Sequence, residues 1–319
     1  MMSKRNLALL LLLLLQVVVI GFINRPGINS APARVAFWEG VKVEQITGLS
    51  MLGSDGRSII LNKGEQGWTI ASADHLPVDP QKMKQALGKL TALASDHLVT
   101  RTPASHNRFQ VGVNRFNQQV TLLLADGGKK SLFLGTSPSY KSVHVRAAGD
   151  DLVYLVKDFS TWQVPLEESG WWQSRYLDLA EETLSEVRVV NRHGELVLRK
   201  GQDNGWQLDQ VPAGKTADPG KVQELVNKLD QLNLTEYLGR DDKEQYDLLD
   251  PVAVLTLVGK DEKVVLAVGA LDSESKTLVI KSSASPFYVR ASSFTLNPLL
   301  EATVASLLRD DKEKDATGK

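Results

Sequence analysis

Asp79-Pro80-Gln81-Lys82-Met83-Lys84-Gln85-Ala86-Leu87-Gly88-Lys89-Leu90 returns 139 residues later as Asp218-Pro219-Gly220-Lys221-Val222-Gln223-Glu224-Leu225-Val226-Asn227-Lys228-Leu229. In each copy an aspartate stands where a helix needs an acceptor for its free first-turn N–H groups, and a proline follows where a missing N–H costs nothing. Met83, Ala86, Leu87, Leu90 and Leu93 are answered by Val222, Leu225, Val226, Leu229 and Leu232. That spacing puts one apolar stripe along one face of a helix. Lys82, Lys84 and Lys89, and Lys221, Glu224 and Lys228, lie off the stripe on a solvated face.

Working outward, the same order of elements appears around both helices. Ile46, Leu49, Met51 and Leu52 precede the turn Asp55-Gly56, and Ile59 to Leu61 follow it. Leu184, Val187, Val189 and Val190 precede His193-Gly194, and Leu196 to Leu198 follow. Short β-rich runs about an Xaa-Gly turn predict hairpins. A third strand begins at Gly67-Trp68 and at Gly205-Trp206. After each helix comes an irregular stretch, 95–118 and 233–251, and then four β-like runs. In the first copy these are Val120–Leu124, Leu132–Leu134, Val143–Val145 and Leu152–Val156. In the second they are Val254–Val258, Val264–Val268, Leu278–Ile280 and Phe287–Val289. The expected fold is α+β: an N-terminal transmembrane helix, then two tandem repeats, each an antiparallel sheet with one amphipathic helix. No βαβ alternation supports a doubly wound nucleotide-binding fold.

Leu7 to Ile23 is an apolar run broken only by Gln16. It sits at the short end of a membrane span, and Lys4 and Arg5 before it favour a cytoplasmic N-terminus. A cleaved signal peptide is the rival reading, but Ala31 and Ala33 lie far beyond Ile23 for a processing site. Arg25-Pro26-Gly27 ends the helix. The expected division is 1–6 cytoplasmic, 7–23 signal-anchor, 24–36 linker, 37–164 first repeat, 165–182 connector, 183–302 second repeat, and 303–319 a charged, largely disordered tail. The expected location is the bacterial cytoplasmic (inner) membrane, single-pass, with the bulk of the chain periplasmic.

The net charge of −1 argues against a nucleic-acid partner. The charge divides as +4 over residues 1–34, +3 over 35–165 and −8 over 166–319. There is no cysteine, which removes thiol chemistry, iron–sulfur clusters and a lipid-modified N-terminal cysteine.

Residue patterns for catalysis are sparse. His75, His97, His106, His144 and His193 form no zincin-type pair. His97 and His106 share one irregular stretch with Asp96, the one place where a hydrolase centre can be imagined. Asp241, Asp242, Glu244, Asp247 and Asp250 make an acidic run without EF-hand spacing. Gly135-Thr136-Ser137-Pro138-Ser139 follows a strand but leads to no helix, unlike a phosphate loop, and no G-x-S-x-G elbow is present. Trp162, Trp171 and Trp172 read as packing between repeats, or alternatively as a platform for glycan or peptidoglycan. The sequence therefore assigns no catalytic, cofactor-binding or metal residue, and no cofactor.

Lys4-Arg5-Asn6 before the leucine run, the repeated Gly-Trp, Val78-Asp79-Pro80 and Ala217-Asp218-Pro219, Tyr246-Asp247-Leu248 with Asp250-Pro251, and Gly269 together resemble domain-of-unknown-function family 4340. The resemblance covers about residues 4 to 300. Phe109-Gln110-Val111 is the first-repeat counterpart of Tyr246-Asp247-Leu248, and in both the family's usual central glycine is replaced. The resemblance implies a non-enzymatic membrane-anchored extracytoplasmic accessory or scaffold protein, associated with an ABC-type permease or another envelope protein. It brings no catalytic residue and leaves the oligomeric state open.

Overall fold

The computed structural model describes residues 13–16, 34–177, 183–260 and 262–309. The expected anchor apart from helical residues 13–16, the linker up to residue 33 and the far tail therefore lie outside the described residues, while the linker's last two residues, Val35–Ala36, form a strand paired with Ala94–Ser95. Among the described residues no helix is long and apolar enough to cross a membrane.

The fold is α+β, dominated by two large antiparallel sheets. In chain order the strands of the first part are β1 (Val35–Ala36), β2 (Ile46–Gly53), β3 (Ser58–Gly64), β4 (Gly67–Ile70), β5 (Leu76–Pro77), β6 (Ala94–Ser95), β7 (Leu98–Thr100), β8 (Gln118–Leu124), β9 (Lys129–Leu134), β10 (Ser142–Ala147) and β11 (Val153–Lys157). Those of the second are β12 (Leu184–Asn191), β13 (Gly194–Lys200), β14 (Trp206–Leu208), β15 (Leu234–Gly239), β16 (Ala253–Gly259), β17 (Lys263–Asp272), β18 (Thr277–Ser282) and β19 (Tyr288–Ser292). The sheet orders are β5-β4-β3-β2-β8-β9-β10-β11-β7 and β14-β13-β12-β16-β17-β18-β19-β15. From β4 onward the two orders correspond strand for strand.

Each predicted helix forms: α1 (Pro80–Thr91) and α2 (Pro219–Asp230). The Asp218 carboxylate accepts from the N–H groups of Gly220 and Lys221 at 2.9 and 3.2 Å, as an N-cap should. All five apolar positions of each stripe are buried. At about 2 kcal/mol for each large side chain removed from water, the stripe outweighs the weak intrinsic helicity of a twelve-residue segment. In β16 alternate residues Ala253, Leu255 and Leu257 are buried while those between are half-exposed, the pattern of a sheet with one core face.

Three features depart from the sequence reading. The stretches after the helices are not wholly irregular: Leu98–Thr100 and Leu234–Gly239 are strands that close the sheet beside β11 and β19. An additional helix, α3 (Ser293–Leu300), carries Pro298 inside it and an N-cap from Ser292. Residues 303–309, assigned to the tail by composition, are built in. Leu307 is buried, and its carbonyl accepts from the Asp218 N–H at 2.8 Å.

The chain divides into two compact units, Met1–Thr69 with Pro80–Glu167, and Ile70–Asp79 with Glu168–Lys319. The ten residues Ile70–Asp79 come from the first repeat in sequence yet cluster with the second unit.

Candidate functional site

The residues that carry the family resemblance form a corner in each unit. In the first, a single helical turn, His106–Phe109, ends at Gln110, whose φ is +54°. The Gln110 N–H reaches the Asn107 carbonyl at 3.3 Å, and the Val111 N–H reaches the His106 carbonyl at 3.0 Å. This is the Schellman arrangement, in which the left-handed residue is usually glycine. In the second unit, Glu244–Tyr246 ends at Asp247 with φ +53°. The family's glycine thus has a conformational reason, and this chain accepts a strained residue at both positions. Gln110→Gly is expected to stabilise the protein by about 1 kcal/mol, read as a higher urea midpoint at unchanged slope.

A real glycine lies beneath each corner. A Cβ on Gly135 would stand 2.0 Å from the Phe109 carbonyl oxygen, and one on Gly269 would stand 2.0 Å from that of Tyr246. The Phe109 carbonyl instead accepts the Thr136 N–H at 2.9 Å. His144 is buried beside it, its ring 4.6 Å from that of Phe109 and its Nδ1 within 2.8 Å of Thr136 Oγ1. Burial holds the His144 pKa below the usual histidine value. Arg146 is buried as well. Its Nε donates to the Val111 carbonyl at 2.7 Å, and its Nη1 donates to that of Asp150 at 2.8 Å. The sequence flags Gly135 as a phosphate-loop decoy, and the structure makes it the seat of a backbone crossing.

A cavity of about 200 Å³ opens in the second unit. Its buried wall is Leu76, Leu234, Phe287 and Val289, and its outer members include Gln173, Arg175 and Ser285. Tyr176 stands in it with both hydrogen-bonding directions used. Its hydroxyl donates to the Phe287 carbonyl at 2.7 Å and accepts from the Ser282 N–H at 2.9 Å. Burial raises the Tyr176 pKa.

Nearby, Asp74 and His75 both have positive φ, +46° and +61°. Tyr237 donates to the Asp74 carboxylate at 2.9 Å, and Arg240 donates to the Asp74 carbonyl at 2.9 Å. Burial, and then the Asp74 hydrogen bond, push the Tyr237 pKa well above the ordinary tyrosine value. The Arg240 guanidinium lies 4.7 Å above the Phe287 ring.

The residues singled out by sequence do not converge on a reactive centre. His97 is exposed, and His106 is held by the Asp151 carbonyl at 2.9 Å. Asp241, Asp242, Glu244, Asp247 and Asp250 are all exposed. Among the described residues no group of three or more potential ligands is placed to hold a metal. Trp171 and Trp172 are buried in the second unit, where the Trp171 carbonyl accepts the Asp79 N–H at 2.8 Å. Trp162 alone of the three is open, 59% exposed, with the Lys89 ammonium 5.7 Å from its ring. A three-tryptophan platform is thereby ruled out by burial. Sequence reasoning missed the cavity because four separated stretches build it. It missed Arg146 because a lone arginine in a strand carries no signal.

The family model described as "Domain of unknown function (DUF4340)" matches residues 68–251. The chain belongs to that family. The match is shorter than the 4–300 expected from the motifs: it begins at Trp68, includes Gly205-Trp206, both Asp-Pro elements and both left-handed corners, and ends before Gly269. No curated protein and no solved structure matches the chain.

Proposed function

We propose that this DUF4340 member is a non-enzymatic, membrane-anchored extracytoplasmic accessory protein that works by binding a protein partner, the permease of an ABC-type transport system. The observation that carries the reading is what the two units repeat. Capping aspartate, helix stripe, aromatic corner and seat glycine are folding devices, and no reactive side chain accompanies them.

Just past each corner the chain turns an apolar residue outward. Val113 is 69% exposed and Leu249 is 96% exposed. The two residues stand three and two positions past the left-handed residues Gln110 and Asp247, so each corner presents an apolar group to a partner without the two being equivalent positions. The Leu7–Ile23 run supplies the anchor in this reading, and confinement to a membrane raises the effective concentration of a membrane partner.

Purification of the full-length chain from native membranes tests it. An ABC permease subunit should co-purify, and should be lost when residues 7–23 are exchanged for an unrelated span of equal length. Should the purified chain carry envelope glycan and no membrane protein, the glycan-binding alternative takes its place, with Trp162 as its remaining aromatic. Should a His97→Ala/His106→Ala double variant lose function while folded, the hydrolase alternative does.

A further inference from the structure

We propose that the corner of the first unit is a contact surface for anionic phospholipid headgroups, made by the tips that carry Arg108, Val113, Arg115, Tyr140 and Lys141. The proposal rests on the membrane-anchored reading above and adds to it a second, peripheral contact with the same membrane. It does not depend on which protein partner the chain has.

Comparison of the repeats carries it. Residues 97–149 hold seven basic side chains and one acidic, Asp126, a net charge of +6. The matching stretch of the second unit, 233–284, holds six basic and ten acidic side chains, a net charge of −4. The backbone is kept while the charge is inverted. Lys141 and Lys276 both stand at left-handed positions, φ +52° and +56°, in the turns that lead into β10 and β18. The first turn, Thr136-Ser137-Pro138-Ser139-Tyr140-Lys141, has no acid, whereas the second, Leu271-Asp272-Ser273-Glu274-Ser275-Lys276, has two. Just past the corner the first unit continues as Val113-Asn114-Arg115 and the second as Leu249-Asp250-Pro251.

Apolar and basic groups are interleaved on these tips and open to water. Tyr140 is 83% exposed and Val113 69%, and Arg108, Arg115 and Lys141 are exposed as well. The Lys141 ammonium lies 5.2 Å from the Tyr140 ring centroid, and the Arg108 guanidinium 5.6 Å from that of Phe109. Among the described residues none of these three cations is in an ion pair. A ring with a polar tip beside a long cationic side chain suits headgroup depth, with the apolar body inward and the charge at the phosphates.

Both tips are braced at the base. The Thr136 N–H bonds to the Phe109 carbonyl at 2.9 Å, which seats the turn against the corner. The buried Ser142 donates through Oγ to the Ser139 carbonyl at 3.0 Å. Gly112 and Arg115 exchange backbone hydrogen bonds at 2.9 and 3.3 Å, which leaves Val113 and Asn114 at the end of their loop. Residues 24–34, between the apolar run and β1, extend to at most about 40 Å. An anchor at 7–23 therefore keeps the first unit within that reach of the bilayer.

The chain has no cysteine, so one introduced cysteine takes an environment-sensitive nitrobenzoxadiazole label without background. Full-length chains labelled at the exposed positions Ser137→Cys, Asn114→Cys or, in the acidic turn, Ser273→Cys are reconstituted into vesicles. The vesicles are phosphatidylcholine alone or phosphatidylcholine with phosphatidylglycerol, and retention after a carbonate wash shows the anchor in place independently of the tips. Phosphatidylglycerol should shift the emission at 137, 114 or both to the blue, and about 0.5 M sodium chloride should reverse the shift. The label at 273 should not respond. Each cation close to an anionic surface is worth about fivefold in the ratio of docked to free tips. Arg115→Glu/Lys141→Glu should therefore lower that ratio at least about 25-fold, with circular dichroism and melting temperature as folding controls. The salt reversal tests the same charge dependence without any substitution in the cations. Unchanged emission at both 137 and 114 overturns the proposal, as does a shift equally large in phosphatidylcholine alone or at 273. Docked tips on a chain that brings down no permease uphold the lipid contact while the partner reading fails, and silent tips on a chain that does bring one down do the reverse.

Discussion

Alanine at Gly135 or Gly269 is expected to destabilise the protein by about 3 kcal/mol, as much as deleting a large core side chain. The added Cβ would stand 2.0 Å from a backbone carbonyl oxygen. The offending atom is not the end of a flexible side chain, so nothing nearby can rotate away. Relief requires moving the strand end or the corner, and each is fixed. Around Gly135 its own N–H is bonded to the His144 carbonyl at 2.8 Å, and Asn117 Nδ2 donates to the Gly135 carbonyl at 2.8 Å. Urea unfolding followed by tryptophan fluorescence should show a large drop in midpoint for either variant. A loss below 1 kcal/mol would mean that the corners yield and are not seats at all.

Arg146→Met is expected to cost about 3 kcal/mol, because it leaves the buried Val111 carbonyl without its charged donor and removes the tie to the Asp150 carbonyl of the turn, while keeping most of the apolar volume. The guanidinium lies over the Phe133 ring at 4.6 Å while bonding on two sides, to the corner and to the hairpin turn. Lysine at this position should recover only part of the loss, since one ammonium cannot reproduce a planar fork. Lys281→Met should cost less, about 1 kcal/mol. Its side chain is only half-buried, and the carbonyls it serves, of Ser282 and Ser285, belong to its own turn alone, with no corner carbonyl among them. Melting temperatures of the three variants check the ranking. Equal losses for Arg146→Met and Lys281→Met would contradict the burial argument.

What could be read from the sequence was local. The caps, the stripes from Met83 to Leu93 and Val222 to Leu232, and the Xaa-Gly hairpins each announce themselves within a dozen residues. Strands β7 and β15 did not, because three to six residues acquire strand identity only from partners that come some fifty residues later. The transfer of Ile70–Asp79 to the second unit left no trace in the pattern, since both repeats read alike up to that point. The signature Tyr246-Asp247-Leu248 was visible as a motif, whereas its cause, a left-handed residue above a glycine, is a matter of backbone angles. The cavity was the least legible of all. Leu76, Arg175, Tyr176 and Phe287 are brought together by topology, and none is unusual where it stands in the chain.

The central claim is that the chain acts by contact with a membrane partner through surfaces carried on two copies of one scaffold. Photo-crosslinking in intact cells tests it most directly, with a benzophenone amino acid placed at Val113 or at Leu249 in the full-length chain. The account predicts an adduct at one or both positions with an ABC permease subunit, and no adduct when the same group stands at the buried Leu255. Adducts that never contain a membrane protein, from a chain shown to be folded and present at its normal level, would contradict it.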